Sequence, residues 1–396
     1  MTLAASDTRN AGERVVTRGF LLLGLATFLA ILPAGMLLPT VPLFAREELD
    51  ARSVGVGIAV GATSLTSFLM LPIVGRLSDR YGRRRFLIAG PLIIAAAAAS
   101  LQFASALELL VLIRVFAGVG EAMTVVSATT VAADIAPAGR RGEAFSLFSL
   151  AFHLGNAVGP VIAIELALGG HYERVFGAAC ASALASALVA TRIRETRPEG
   201  ARAKSDSLLA RQAIRPAVIL GLALFGWGGF VAFGALYARD LGLERVGFVF
   251  LLFATIVMGI RTLGRRIPDA LGPVRCGSVA LGLISVGLLV TGVSGSLAGL
   301  FVGTAIFAAG QALAFPALLA LAVDRTPAVQ RAAAVGTVAG AAQVSMGSGA
   351  IALGVVVAIA GYEALFICGA VSALTGVVVM RRLGGETIRP GLRPAS

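Results

Sequence analysis

The chain has 396 residues, 57% of them apolar and only 14% charged, with a mean hydropathy of +0.90 and a net charge of +12. Soluble domains are about half apolar and about a quarter charged, so a water-soluble globule is excluded. A nucleic-acid binder is excluded as well, because the cations fall between apolar runs rather than along one folded face.

Helices of about 18 apolar residues or more cross a bilayer core. Breaking the apolar runs at charge clusters predicts twelve such spans, at 20–43, 54–76, 86–104, 108–132, 143–168, 173–191, 217–237, 246–264, 276–294, 297–322, 333–359 and 363–380. Backbone groups in lipid find no outside partner, and the runs lack the alternation of a barrel, so the expected fold class is an all-α integral membrane protein. The first span, behind Arg14 and Arg18, is too long for a signal-peptide core and reads as a retained membrane helix.

With both termini in the cytoplasm, 27 of the 33 cations fall in the termini and even-numbered loops. The outer loops hold five (Arg46, Arg52, Arg174, Arg239 and Arg245), and Arg114 lies within a span. That asymmetry is the positive-inside pattern of a multi-pass protein of the plasma (inner) membrane. Cys180, Cys276 and Cys368 lie within apolar segments at no metal-ligand spacing, and read as small buried hydrophobes.

In chain order, the turn between the second and third spans reads GRLSDRYGRRRF. It is short, so its helices must be antiparallel neighbours. Gly82 suits a positive φ there, and Gly75 allows another backbone to approach closely. Asp79, at the membrane edge, is placed to favour the positive N-terminal end of a helix.

The fourth span carries LIRVFAGVGEAM. Arg114 and Glu121 are seven residues apart, hence within about 20° on one helix face and roughly 10 Å apart along it. Glu121 is thirteen residues from both Glu108 and Asp134, near mid-membrane, where a charge must face a cavity or a partner. Desolvation favours its neutral form and a guanidinium its charged form. Glu121 is therefore either a switchable proton site or half of a permanent structural pair with Arg114.

The fifth span, HLGNAVGPVIAIE, spaces Gly155 and Gly159-Pro160 for close helix packing and a bend. His153 and Asn156 lie in this span, with Glu165 near its outer end; Gln311 and Gln343 lie in the tenth and eleventh. His153 is a titratable site or a packing histidine, and Glu165 is a site or an interface residue.

The chain also repeats itself at an offset of 190. Asp79 and Gly82 fall on Asp269 and Gly272, Gly120-Glu121-Ala122 on Gly310-Gln311-Ala312, Arg141 on Arg331 and Gly159 on Gly349. Two parallel six-helix halves follow, residues 1–191 and 217–396, joined by a polar, basic cytoplasmic linker at 192–216. A midplane site between such repeats is a transporter architecture.

At this point the whole chain resembles a Major Facilitator Superfamily transporter. The turn matches the superfamily's signature at Gly75, Leu77, Asp79, Arg80, Gly82, Arg83 and Arg84. The resemblance implies a twelve-helix fold of two pseudo-symmetric halves, and a latch in which Asp79 meets the start of the eleventh helix near Ala332. The second-half turn, RRIPDALGPVR, keeps Asp269 and Gly272 but has Arg265 where Gly75 stands, which implies a weaker latch. Arg114, Gly118 and Gly120 resemble the superfamily's helix-4 motif. Gly155, Gly159 and Pro160 resemble the helix-5 motif of its exporting branches, although Ala163-Ile164 replaces the closing glycine pair. LPTVP, Leu38 to Pro42, resembles the first helix of twelve-helix drug:proton antiporters.

ATP hydrolysis is excluded, since a phosphate-binding loop needs a lysine after glycine and the single lysine, Lys204, follows Ala203. The expectation is a secondary transporter, not an enzyme. It would be driven by the proton gradient without a cofactor, exporting a small amphipathic compound by antiport. Uptake of a sugar, organic acid or other metabolite is the alternative. Its partners would be substrate, protons and bilayer, and two halves require only a monomer.

Overall fold

A computed structural model describes residues 15–137, 140–167, 170–196, 210–264, 267–327 and 330–386. The regular structure of these residues is helical. In order, the α-helices are α1 (Arg18–Glu47), α2 (Ser53–Tyr81), α3 (Arg83–Ser100), α4 (Leu107–Ile135), α5 (Arg141–Ala167), α6 (Tyr172–Ala190) and α7 (Ile214–Asp240). They continue as α8 (Gly247–Leu263), the single turn α9 (Ile267–Leu271), α10 (Pro273–Ser294), α11 (Leu297–Asp324) and α12 (Arg331–Glu386).

Among the described residues ten helices are long and apolar enough to cross a membrane, and α8, at 17 residues, is a shorter apolar helix. The count differs from twelve because the last two predicted spans lie on α12 alone, which runs for 56 residues. One residue interrupts it: Gly361, at φ 82° and ψ −179°, leaves helical geometry without any loop. A break confined to one glycine carries no charge cluster, yet only a residue without a Cβ adopts that φ at little cost.

Local chemistry sets the helix ends. The Thr17 hydroxyl accepts from the Phe20 amide at 3.2 Å and caps α1. Gly82, at φ 99°, both ends α2 and starts α3, and Gly272, at φ 71°, does the same before α10. The repeat offset of 190 thus recurs in backbone conformation. It recurs in packing too: a Cβ on Gly120 would lie 2.8 Å from the Gly90 carbonyl oxygen, and one on Gly310 would lie 2.6 Å from that of Ala280.

Helix α1 packs on α5 and α6, α2 on α4, and α3 on α4 and α6; α7 packs on α12, α10 on α11 and α12, and α8 on α11. These two sets meet where α2 packs on α12, α5 on α8, and α1 on α7. The α2–α12 seam is close: a Cβ on Gly61 would lie 2.5 Å from the Gly347 carbonyl oxygen, and one on Gly354 would lie 2.8 Å from that of Ser53. The helices approach through small residues because lipid gives apolar side chains no reason to hide, leaving backbone proximity and dispersion as the attraction.

We call the end of the molecule carrying Gly82 the motif face, and the end carrying Asp50 and Gly242 the far face. At the far face Glu47 of α1 pairs with Arg239 of α7 at 2.9 Å, and Glu165 of α5 lies 4.0 Å from Arg245. Toward the motif face, among the described residues, no atom of another helix lies within 4 Å of the Cβ position of Gly75 or of Gly336.

Candidate functional site

Helix α4 carries Glu121 at its middle, fourteen residues from either end. Its carboxylate meets the neighbouring set of helices: Gln343 of α12 points its amide nitrogen at Glu121 Oε1, 3.5 Å away, and donates to Ser67 Oγ of α2 at 3.2 Å. One amide thereby links α2, α4 and α12 at mid-depth. All these helices are apolar there, so three polar groups finding one another is the arrangement that low dielectric demands.

Arg114 lies on the same helix but makes no ion pair with Glu121 within 4 Å among the described residues. Its Nε donates to the Ala59 carbonyl at 3.4 Å, and its own carbonyl accepts from Thr63 Oγ1 at 3.0 Å. Arg114 is therefore tied to α2 and acts on Glu121 through space. The two are not a closed salt bridge, and the Glu121 carboxylate keeps a neutral donor as its direct contact. Arg114, Glu121 and Gln343 all remain partly accessible.

His153 of α5 contacts Arg261 of α8 through Nε2 and Nη1. A guanidinium only donates, so Nε2 must be the acceptor and the ring is neutral in this contact. Arg261 falls inside the predicted span 246–264 but counted with the cytoplasmic loop cations in the charge tally. A cation inside the last turn of an apolar run is the signal that marks it.

The other expected site residues disperse. Asn156 donates to the Phe152 carbonyl of its own helix at 3.2 Å. Gln311 is buried and donates to the Ala223 carbonyl of α7 at 3.3 Å, which makes it a tie within the second set of helices. Glu165 is exposed at the far face, opposite Arg245, and so is an end-of-helix residue. Gly155, Gly159 and Pro160 face α1 and α8: a Cβ on Gly159 would sit 2.6 Å from Gly35 Cα, and the Pro160 carbonyl lies beside Gly247.

At the motif face, Asp79 pairs with Arg83 at 3.3 Å within its own turn rather than with the start of α12. Arg83 also reaches Asp134 of α4 at 3.3 Å, and its guanidinium donates to the Thr196 carbonyl at 3.4 Å. Glu195, after α6, accepts from the Arg83 and Arg84 amides at 3.0 and 3.2 Å, which supplies the first turn of α3 with the anion it lacks. Arg80 stacks over the Tyr81 ring at 5.3 Å. Gly75 has no close neighbour for its absent side chain, so the close approach expected there is not made in this conformation. The Asp269 side chain lies outside the described residues; Gly272 takes the positive φ noted above.

One far-face group escaped the sequence reading. Glu47 binds Arg239 across the two sets and also accepts from the Tyr172 hydroxyl of α6.

The family model for the Major Facilitator Superfamily matches residues 23–292. The chain belongs to the Major Facilitator Superfamily. It is a multi-pass membrane protein and a secondary transporter, not an enzyme. Among relatives, an uncharacterized MFS-type transporter of Salmonella typhimurium is 26% identical over 372 residues, spanning 90% of this chain and 94% of the relative. Among solved structures, the human organic anion transporter MFSD10 superposes with a TM-score of 0.71 at 21% identity, covering 92% of this chain and 99% of that one. A POT family transporter reaches 0.80 at 12% identity, covering 94% and 97%. At such identities the superpositions speak for the shared superfamily fold.

Proposed function

We propose that this superfamily member is a proton-coupled exporter of the drug:proton antiporter branch, exchanging protons for a small amphipathic compound. Glu121 carries the reading. It is a carboxylate at the middle of α4, partly accessible, held by a neutral amide from the opposite set of helices and lying within the field of Arg114. A carboxylate in that setting exchanges a proton for a substrate contact with little rearrangement. The proton gradient is the energy source, and no cofactor takes part.

In this reading residues 1–191 and 217–396 are the two rocking six-helix bundles, with 192–216 as linker. Helix α12 counts as two spans broken at Gly361, which makes twelve. Both termini and the motif face are then cytoplasmic, in the plasma membrane, and a monomer suffices. The far-face ion pairs and the tight α2–α12 seam, set against the space at Gly75, are what a conformation closed outside and parted inside requires. Asp79 and Arg83 engage the opposite bundle in the other conformation.

The test is purified protein in liposomes containing a pH-sensitive dye, with an imposed proton gradient and a panel of amphipathic cations, neutral compounds, organic acids and sugars. Proton exit from the acidic compartment coupled to entry of a compound supports antiport. Movement of both in one direction makes the protein an importer and overturns the proposal.

A further inference from the structure

Arg261 is a partly buried cation at the seam of α5 and α8. It lies near the end of α8; among the described residues its Nε is buried with no hydrogen-bond partner, and its Nη1 meets only the neutral acceptor of His153. Among the described residues no carboxylate lies within 4 Å of it. A guanidinium has five N–H donors in a rigid fork and no acceptor, so one imidazole nitrogen leaves most of its capacity unfilled. An uncompensated buried cation is costly, and a purely structural arginine is found with a carboxylate or several carbonyls instead.

Its position is on the seam between the two sets of helices. Helices α5 and α8 cross antiparallel there, with Gly247 beside Pro160 near the far face and Arg261 beside His153, twelve residues into α5. Eight residues earlier on α8, about 12 Å along the axis, is Phe253, and an arginine side chain leans back toward that end. Phe253 stacks on Trp227 of α7 at 4.4 Å between centroids and 25° between planes, with Phe230 and Phe307 behind them. Trp227 and Phe253 remain partly accessible, whereas Phe230 and Phe307 are buried. The unused donors of Arg261 and the aromatic pair that Phe253 makes with Trp227 thus lie about two helical turns apart along α8.

We propose that Arg261, oriented by His153, is the anchor for the anionic group of an amphipathic organic acid whose apolar body rests on Trp227 and Phe253. This rests on the reading that the seam between the two sets of helices is the transport path. It narrows the substrate class: with Glu47 and Glu165 matched by Arg239 and Arg245 at the far face, Arg114 and Arg261 outweigh Glu121 among the remaining charged groups described at the seam. The neutral His153 aims the guanidinium without neutralising it, which a carboxylate in its place would do.

The experiment uses the full-length protein in detergent and three near-isosteric probes: phenylacetate, phenylacetamide and phenethylammonium. Binding of radiolabelled phenylacetate is measured by equilibrium dialysis, with emission of the single tryptophan, Trp227, as a local reporter. Phenylacetate should bind saturably and perturb Trp227, while the amide and the cation should compete poorly. Arg261→Lys, which keeps the charge but not the fork, should weaken binding about tenfold, and Arg261→Gln should abolish it. No saturable phenylacetate binding, equal affinity in Arg261→Lys and the unmodified protein, or preferential binding of phenethylammonium would each overturn the proposal. Should Arg261→Gln not fold, the lysine variant decides alone. The same probes in the proteoliposome assay separate this proposal from the antiport reading. Arg261-dependent phenylacetate binding without proton movement removes antiport and keeps the anion site. Proton exchange driven by phenethylammonium, with no phenylacetate binding, does the reverse.

Discussion

Gln343 of α12 directs its amide at Glu121 of α4 from 3.5 Å while bonding Ser67 of α2 at 3.2 Å, so one neutral side chain joins the mid-membrane carboxylate to both sets of helices. An amide serves either protonation state of the carboxyl group, because it can donate to the ion and accept from the acid. A cation in its place would lock Glu121 in the charged form.

Replacing Glu121 by Gln removes the exchangeable proton and keeps the shape. Proton-linked flux in proteoliposomes should fall to background, with substrate binding retained. A variant whose transport still follows external pH as before would transfer the proton role to another group, His153 first.

The ion pair of Glu47 with Arg239 should act on conformation rather than chemistry. It is partly exposed, and such pairs are worth about 0–1 kcal/mol. Arg239→Glu and Glu47→Arg singly place like charges at the far face and should change the initial exchange rate by about a few-fold. The double swap restores the pair and should restore the rate. Single variants that transport normally would make the contact incidental.

Asp79→Asn should impair turnover while leaving expression and membrane insertion intact. In this conformation Asp79 holds Arg83, which also holds Asp134. The amide keeps the size but neither the charge nor the ion pair. Normal turnover in a transport assay would remove the latch from the mechanism.

Gly159→Val should destabilise the protein itself. Even the first carbon of the side chain would lie 2.6 Å from Gly35 Cα, where only backbone can yield. Overpacking of this kind costs about 1–3 kcal/mol, read as a lower melting temperature in detergent. Gly75→Val has space in this conformation, and is expected to melt near the unmodified value while slowing turnover.

Much of the fold was legible in the chain because it depends on properties each segment holds alone. Apolar length marks a span, and the glycines of the turn mark the backbone freedom that Gly82 uses at φ 99°. The 190-residue repeat returned as the same positive φ at Gly272 and the same close approach at Gly120 and Gly310. The last two spans were read correctly as apolar runs, yet not as parts of one helix, because a single glycine at 361 carries no polar signature.

The site was legible only as an inventory. Glu121, Gln343 and His153 were visible as polar residues in apolar runs, but so were Asn156 and Gln311, which bond within one set of helices, and Glu165, which lies exposed at an end. Composition and spacing by themselves determined that this is a helical membrane protein with a few polar groups inside its apolar runs. Which of them meet was decided by tertiary structure. An all-apolar helix shows no amphipathic stripe, so its rotation is set by the glycines and backbones of its neighbours. That rotation brought Gln343 to Glu121, Arg261 to His153 and Glu47 to Arg239.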